Sequence, residues 1–294
     1  MYLSEPYIQI RNSSIVCYNV PLQTFKRSTK FLTTTAYSHQ VTNHAAKRIR
    51  NAIDILLQVS PVQKVYNPVL DKMVNHQLSF LTVTISANER HIDSKEGYKL
   101  LLKPFLQKLS RKHGLKTYVW RAEYQKNGQL HYHILTPSWI HYELIRNDWN
   151  NTLEQHGFLQ SWRKRFGQKV PNSTDIHAIY KINNVEAYLS KYMSKKDKVK
   201  KKDGTFEEFY EEEEAPAAPA PPEKKGKLWD CSMNLKKVSM FSVQLPSKLN
   251  YLYELPERIS LDRCIIIKSK SPSSVLPPRL MAKYKKWISD FNAS

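Results

Sequence analysis

The chain has 294 residues, enough for one large hydrophobic core or two smaller ones, and its 46 basic against 26 acidic residues leave a net charge of +20 at neutral pH. That balance points to a polyanionic partner, nucleic acid ahead of a membrane surface. Three scattered cysteines without CxxC spacing argue against a disulfide framework or a zinc ribbon and for a reducing cytoplasm, and no apolar run is long enough to span a membrane. Among the seven glycines none begins a G-x-x-x-x-G-K-[ST] phosphate loop, so no ATPase or helicase motor is expected.

The first 38 residues carry short strand candidates at Tyr7 to Ile10 and Ser14 to Val20. Residues 39–58 hold Ala46, Ile49, Ile53, Ile55 and Leu56 at helical spacing with Lys47, Arg48 and Arg50 between them. The spacing predicts a packed helix whose basic face, Arg48 and Arg50 in particular, is free for phosphates. Phe80 to Ser86 alternates Phe80, Thr82, Thr84 and Ser86 against Leu81, Val83 and Ile85, a half-buried strand by its period of two. Ser94 to His113 reads as a helix stopped by Gly114, with Pro104 kinking or restarting it.

Tyr118 to Leu135 organises the chain. Tyr118 to Tyr124 is rich in β-formers, Lys126-Asn127-Gly128 is turn chemistry, and Leu130 to Leu135 resumes the strand pattern, so the segment predicts a β-hairpin. Alternation puts His131 and His133 on one face. Whether Glu123 joins them depends on register. A two-residue Asn-Gly turn would set Glu123 beside Tyr132 on the opposite face, whereas a three-residue loop with Gly128 left-handed pairs Gln125 with Gln129 and Glu123 with His131. The second register is expected. It brings two imidazoles and a carboxylate to one ion with positions left open for a substrate oxygen, a donor set suited to Mg²⁺ or Mn²⁺.

After Pro137, residues 141–156 form another amphipathic helix closed by Gly157, and Ile176 to Ile182 is a strand candidate. Asn183-Asn184 is a good N-cap for VEAYLSKYMSKK, a breaker-free helix with Val185, Leu189 and Met193 as its apolar stripe. Tyr188, Tyr192 and Lys195 recur along one border of that stripe. Residues 197–224 turn from basic to acidic to Pro/Ala-rich with few apolar side chains, the composition of a disordered insertion. From Trp229 the chain is expected to re-enter the fold, with strands near 237–245 and 259–268 and a closing basic helix over Leu280 to Phe291. The aromatics of that last helix suit base stacking and docking on the domain equally well.

Three motifs in this order, FLTVT at Phe80 to Thr84, the E-x₇-H-x-H hairpin and YLSKYMSKK at Tyr188 to Lys196, resemble those of rolling-circle replication initiators of the His-hydrophobe-His (HUH) endonuclease superfamily. The Y-x-x-K-Y pair is similar to that of the two-tyrosine initiators of small single-stranded DNA bacteriophages. The run GKLWDCSMNL at Gly226 to Leu235 is similar to a Gly-Arg-x-Trp-Gly-x-Ser run of those proteins but has Lys227 and Asp230 where they have Arg and Gly. The resemblance implies an α+β fold with an antiparallel-containing central sheet and flanking helices. It divides the chain into an N-terminal extension (1–78), an endonuclease core (79–196), the insertion (197–224) and a C-terminal return to the fold (225–294). It further implies Mg²⁺ or Mn²⁺ at Glu123, His131 and His133, nucleophilic Tyr188 and Tyr192 assisted by Lys191 or Lys195, and Thr82 and Thr84 beside the site as positioning or phosphate-contacting groups. The activity implied is nicking and rejoining of single-stranded origin DNA through a 5′-phosphotyrosyl intermediate, with a host helicase and DNA polymerase as partners. A plasmid initiator, relaxase or transposase of the same superfamily and a non-catalytic basic nucleic-acid-binding protein are the alternatives, and Glu123 argues against the three-histidine cluster of many relaxases.

Overall fold

A computed structural model describes residues 4–21, 41–67, 70–86, 89–125, 127–167, 170–178, 226–255, 258–261, 264–268 and 275–293. Its architecture is α+β, two five-stranded antiparallel sheets with helices. The predicted helix with Tyr188, Lys191, Tyr192 and Lys195, and the insertion at 197–224, lie outside the described residues.

The site-bearing sheet has the order β8-β5-β7-β6-β9. Its strands are β5 (Ser79–Thr84), β6 (Val119–Tyr124), β7 (Leu130–Thr136), β8 (Thr174–Ala178) and β9 (Trp229–Cys231). Alternation gives it two unlike faces. Leu81, Val83, Trp120, Ala122, Leu130, Tyr132 and Ile134 point into a core shared with Phe105 and Leu109 of α3 (Lys103–His113) and Ile145, Trp149 and Leu153 of α4 (Tyr142–Gln155). The Trp149 indole N–H donates to the Thr84 carbonyl at 3.0 Å, so this large core side chain is oriented as well as buried. Asp148, one residue earlier, ties the two helices together through Lys112 at 2.8 Å and His113 at 3.0 Å. Burial would raise the Asp148 pKa, but these two partners outweigh it and hold the carboxyl below its usual range.

The helix expected over 94–113 is interrupted. Ser94–Gly97 forms α2, Tyr98–Leu102 a π-turn, and α3 then runs to a left-handed Gly114. Pro104 sits at the start of α3, where its missing N–H removes no α-helical bond, so the wide turn before it does what a kink would otherwise do.

The second sheet has the order β10-β1-β2-β12-β11 and is built from both ends of the chain. Strands β1 (Ser4–Ile10) and β2 (Ser14–Pro21) form a hairpin; β1 pairs with β10 (Ser242–Gln244), β2 with β12 (Cys264–Lys268), and β12 with β11 (Arg258–Leu261). Ile8, Ile10, Ile15, Cys17 and Ile267 from this sheet bury against Leu249, Leu252, Leu280 and Tyr284. Between the sheets runs α1 (Asn43–Val59), capped by the Thr42 side chain, which accepts from Ala45 N–H. One side of α1 covers Phe80, Val119 and Leu135 of the first sheet. Its buried Asp54 accepts the Asn12 N–H at 2.7 Å, and Gln58 accepts the Tyr284 hydroxyl at 2.9 Å, which locks the terminal sheet and the last helix, α7 (Pro278–Ala293), onto it.

Several boundaries differ from the sequence reading. The helix expected at 39–58 begins at Asn43, because Thr42 takes the capping position. Residues 237–245 hold the end of a short helix, α6 (Met233–Lys237), before β10, and 259–268 is two strands. A hairpin of β3 (Gln63–Asn67) and β4 (Lys72–His76) and a short helix α5 (Gln160–Phe166) were not foreseen. The aromatics of α7 serve docking: Tyr284 stacks on Trp287 and meets Phe241 edge-on.

Candidate metal centre

The hairpin has the register expected of a three-residue loop. Gln125 N–H bonds Gln129 C=O at 2.8 Å, Gly128 is left-handed at φ 81°, and Glu123 stands opposite His131. A side chain at Gly128 would be strained there and would press on the His91 ring, so glycine fixes the register and with it the site.

Ladder register then lays out the open face. Asp175, Thr82, His133, Arg121 and Trp229 lie in one cross-strand row, and Thr84, His131 and Glu123 in the next. Glu123 Oε2 is 3.2 Å from His133 Nε2 and 3.5 Å from His131 Nε2. One donor atom from each of the three residues lies within 4.8 Å of the other two, the only such group of three among the described residues. The set is nitrogen, nitrogen and oxygen with no thiolate, and a single divalent cation fits it.

Both imidazoles are held from behind. His133 Nδ1 meets Thr82 Oγ1 at 3.0 Å and its ring stacks on Phe80, with centroids 5.3 Å apart. His131 Nδ1 meets the Gln125 side-chain amide at 3.1 Å. A ring that gives its Nε2 lone pair to a cation carries its proton on Nδ1, which needs an acceptor. The Thr82 hydroxyl supplies one for His133, and Gln125 supplies one for His131 when its amide presents Oε1.

The electrostatics favour ligand forms. Hydrogen bonds from His131 and then His133 hold the Glu123 carboxyl far below its usual range, against the opposing effect of burial, and the Arg121 charge adds to this. Burial lowers the His133 pKa more than the Glu123 hydrogen bond raises it, so the ring stays neutral and keeps a lone pair.

Of the residues singled out from the sequence, Glu123, His131 and His133 come together, Thr82 touches His133, and Thr84 lies opposite His131 on the same face. Arg48 and Arg50 are exposed on α1; the Arg48 guanidinium lies 5.4 Å from the centre of the Trp229 ring. Sequence reasoning missed Gln125 and Arg121. The signal was available: the alternation that put Glu123 on the histidine face puts positions 121 and 125 there too. Arg121 is only 2% exposed, a buried guanidinium beside the site.

Fold and donor set thus define an α+β protein with a two-histidine, one-carboxylate centre on an antiparallel sheet. Residues 78–197 match the family model of replication-associated protein ORF2, a stretch that contains the whole centre and both motif tyrosines and supports a replication initiator. No curated protein and no solved structure matches the chain. Among the described residues no helix is long and apolar enough to cross a membrane.

Proposed function

We propose that this protein starts rolling-circle replication by nicking single-stranded DNA at an origin and later rejoining the strand. The observation that carries the reading is the convergence of Glu123, His131 and His133 inside the one segment that matches a replication-associated family. The HUH motif order and the Y-x-x-K-Y spacing at Tyr188 and Tyr192 supply the chemistry.

In this mechanism the phenolic oxygen of Tyr188 or Tyr192 attacks the scissile phosphorus and loses its proton. The bond from phosphorus to the 3′ oxygen breaks, the 3′ oxygen leaves as a hydroxyl after taking up a proton, and the 5′ phosphate stays on tyrosine. Glu123, His131 and His133 hold Mg²⁺ or Mn²⁺, which when bound places positive charge beside the phosphate oxygens. Lys191 and Lys195 favour the phenolate and neutralise the leaving oxygen. Arg121 contributes a fixed positive charge behind the site, and Thr84 faces the phosphate path. The phosphotyrosyl bond conserves the energy of the cut, so rejoining needs no ATP. The second tyrosine permits a new cut while the first still holds a strand. The free 3′ hydroxyl primes a host polymerase, and unwinding falls to a host helicase.

The test is a denaturing gel of the protein with labelled single-stranded DNA of its replicon and Mn²⁺. A covalent adduct that disappears with chelator, in Tyr188→Phe/Tyr192→Phe and in His131→Ala is expected. Tight salt-sensitive binding without any adduct would instead mark a binding protein whose histidines are structural.

A further inference from the structure

We propose that the cleft between α1, β9 and the N-terminal hairpin is a nucleotide subsite, which takes one base of the single strand lying across the metal-binding face. The inference rests on the reading of single-stranded DNA as substrate and adds where a base beside the cut is held.

The cleft has a volume of about 490 Å³, inside the range of roughly 300–1,000 Å³ of small-ligand sites. Its floor is apolar, with Ala52 from α1 and Leu235 from α6 both buried. The walls carry what a base and its phosphate require. Trp229 and Tyr18 offer aromatic faces, Gln9 and Asn51 offer amide groups for a base edge, and Arg48 stands at the rim. The Tyr18 ring is fixed by a 2.6 Å hydrogen bond between its hydroxyl and that of Ser242. Arg48 already lies over the Trp229 ring, and among the described residues its guanidinium pairs with no carboxylate. Lys236, the other cation of the lining, is paired with Asp230 at 2.8 Å, so Arg48 carries the charge argument alone.

Position joins this cleft to the metal centre. Trp229 stands opposite Arg121, and Arg121 opposite His133, all on one face of the sheet. Two strand spacings, about 10 Å, separate Trp229 from the metal ligand. An extended single strand with its scissile phosphate at Glu123, His131 and His133 reaches the cleft within a short stretch. A duplex cannot follow, because a base enters a closed-sided cleft only when it is unpaired and unstacked.

The test uses the full chain in the presence of chelator, so that neither cleavage nor the metal centre contributes. Binding of an oligothymidylate is compared with binding of an abasic oligomer of equal length. Trp229→Ala is expected to weaken oligothymidylate binding about tenfold, the loss of one stacked base, and to leave abasic binding unchanged. Trp229→Phe keeps the stacking face and retains most of the affinity; Arg48→Ala weakens both oligomers. With the wild-type chain, ultraviolet crosslinking of an oligomer carrying 5-iodouracil should label the peptides of Trp229 or Tyr18. Equal losses on both oligomers in Trp229→Ala, or crosslinks that map only elsewhere, would overturn the subsite and leave the strand-cutting proposal intact. If the wild-type chain binds neither oligomer, the single-strand reading fails and the subsite with it.

Discussion

The two sheets are alike in size and pairing and opposite in what they carry. Both have five antiparallel strands and both pack toward α1. In the site-bearing sheet, four of the strands come from one continuous stretch, Ser79–Ala178, and only β9 arrives from further on. Its open face spends strand positions on Thr82, Thr84, Glu123, His131, His133 and Arg121, groups that contribute little to a core. The terminal sheet joins β1 to β10 and β2 to β12 across more than two hundred residues and fills its inner face with isoleucines. Chemistry sits where pairing is local and register is set by a turn. Scaffolding sits where pairing is distant and register is set by burial.

The strongest way to break this division is to take a ligand from the first sheet. His131→Ala or His133→Ala should lower adduct formation with Mn²⁺ by about a hundredfold or more, because the charge beside the phosphate is lost. Thermal unfolding without metal should change little, since both side chains lie on the open face. A large loss of stability in His131→Ala would mean that the histidines are structural after all.

The complementary test truncates the other sheet. Ile15 is fully buried between strands β1 and β12, and Ile15→Ala should cost about 2–5 kcal/mol in urea unfolding. Mn²⁺ affinity of the folded fraction should stay at the wild-type value. If it falls in step with stability, the two sheets are one cooperative unit around α1 and the division of labour is too sharp.

How much of this was legible in the sequence follows the same line. The hairpin register could be read because Lys126-Asn127-Gly128 admits few turns and only one of them puts Glu123 beside His131. The strands of the N-terminal hairpin could be read from their pattern, but not their partners β10 and β12, because nothing local names a strand that lies more than two hundred residues away. The β3–β4 hairpin escaped because it is largely exposed: Tyr66 and Met73 are 53% and 56% accessible, so no apolar alternation marks it. Gln125 and Arg121 escaped for another reason. Neither is a metal-ligand type, and what each does depends on a neighbour on the next strand.

Gln125 and Thr82 sharpen the comparison at a smaller scale. Thr82→Val and Gln125→Leu keep shape but remove the acceptors behind His133 and His131. Each should weaken Mn²⁺ binding about ten- to a hundredfold, the usual effect of losing a partner behind a ligating imidazole. Calorimetric titration of the two single variants and the double variant separates their shares. An unchanged affinity in both would show that the rings need no orientation from behind.

The smallest effect is on the pH dependence of stability, and it tests the root of the β3–β4 hairpin rather than either sheet's open face. His76 is fully buried, with Nε2 2.9 Å from Ser79 Oγ and the Trp139 ring edge-on at 5.1 Å. Burial lowers its pKa below the ordinary 6.5. Between the folded and unfolded values the unfolded chain binds a proton that the native state refuses, so acidification favours unfolding and stability rises with pH across that window. His133, lowered by burial in the same direction, adds to the slope with the same sign. Glu123 acts in a more acid window: its depressed carboxyl stabilises the fold above its unfolded value of 4.5, and that contribution disappears only as pH falls toward the folded value. Urea midpoints should therefore fall from about pH 7.5 to about pH 5.5, and His76→Gln, which has no proton to take up, should flatten the curve there. A slope unchanged by His76→Gln would place the refused proton elsewhere and leave His133 as the buried imidazole that sets it.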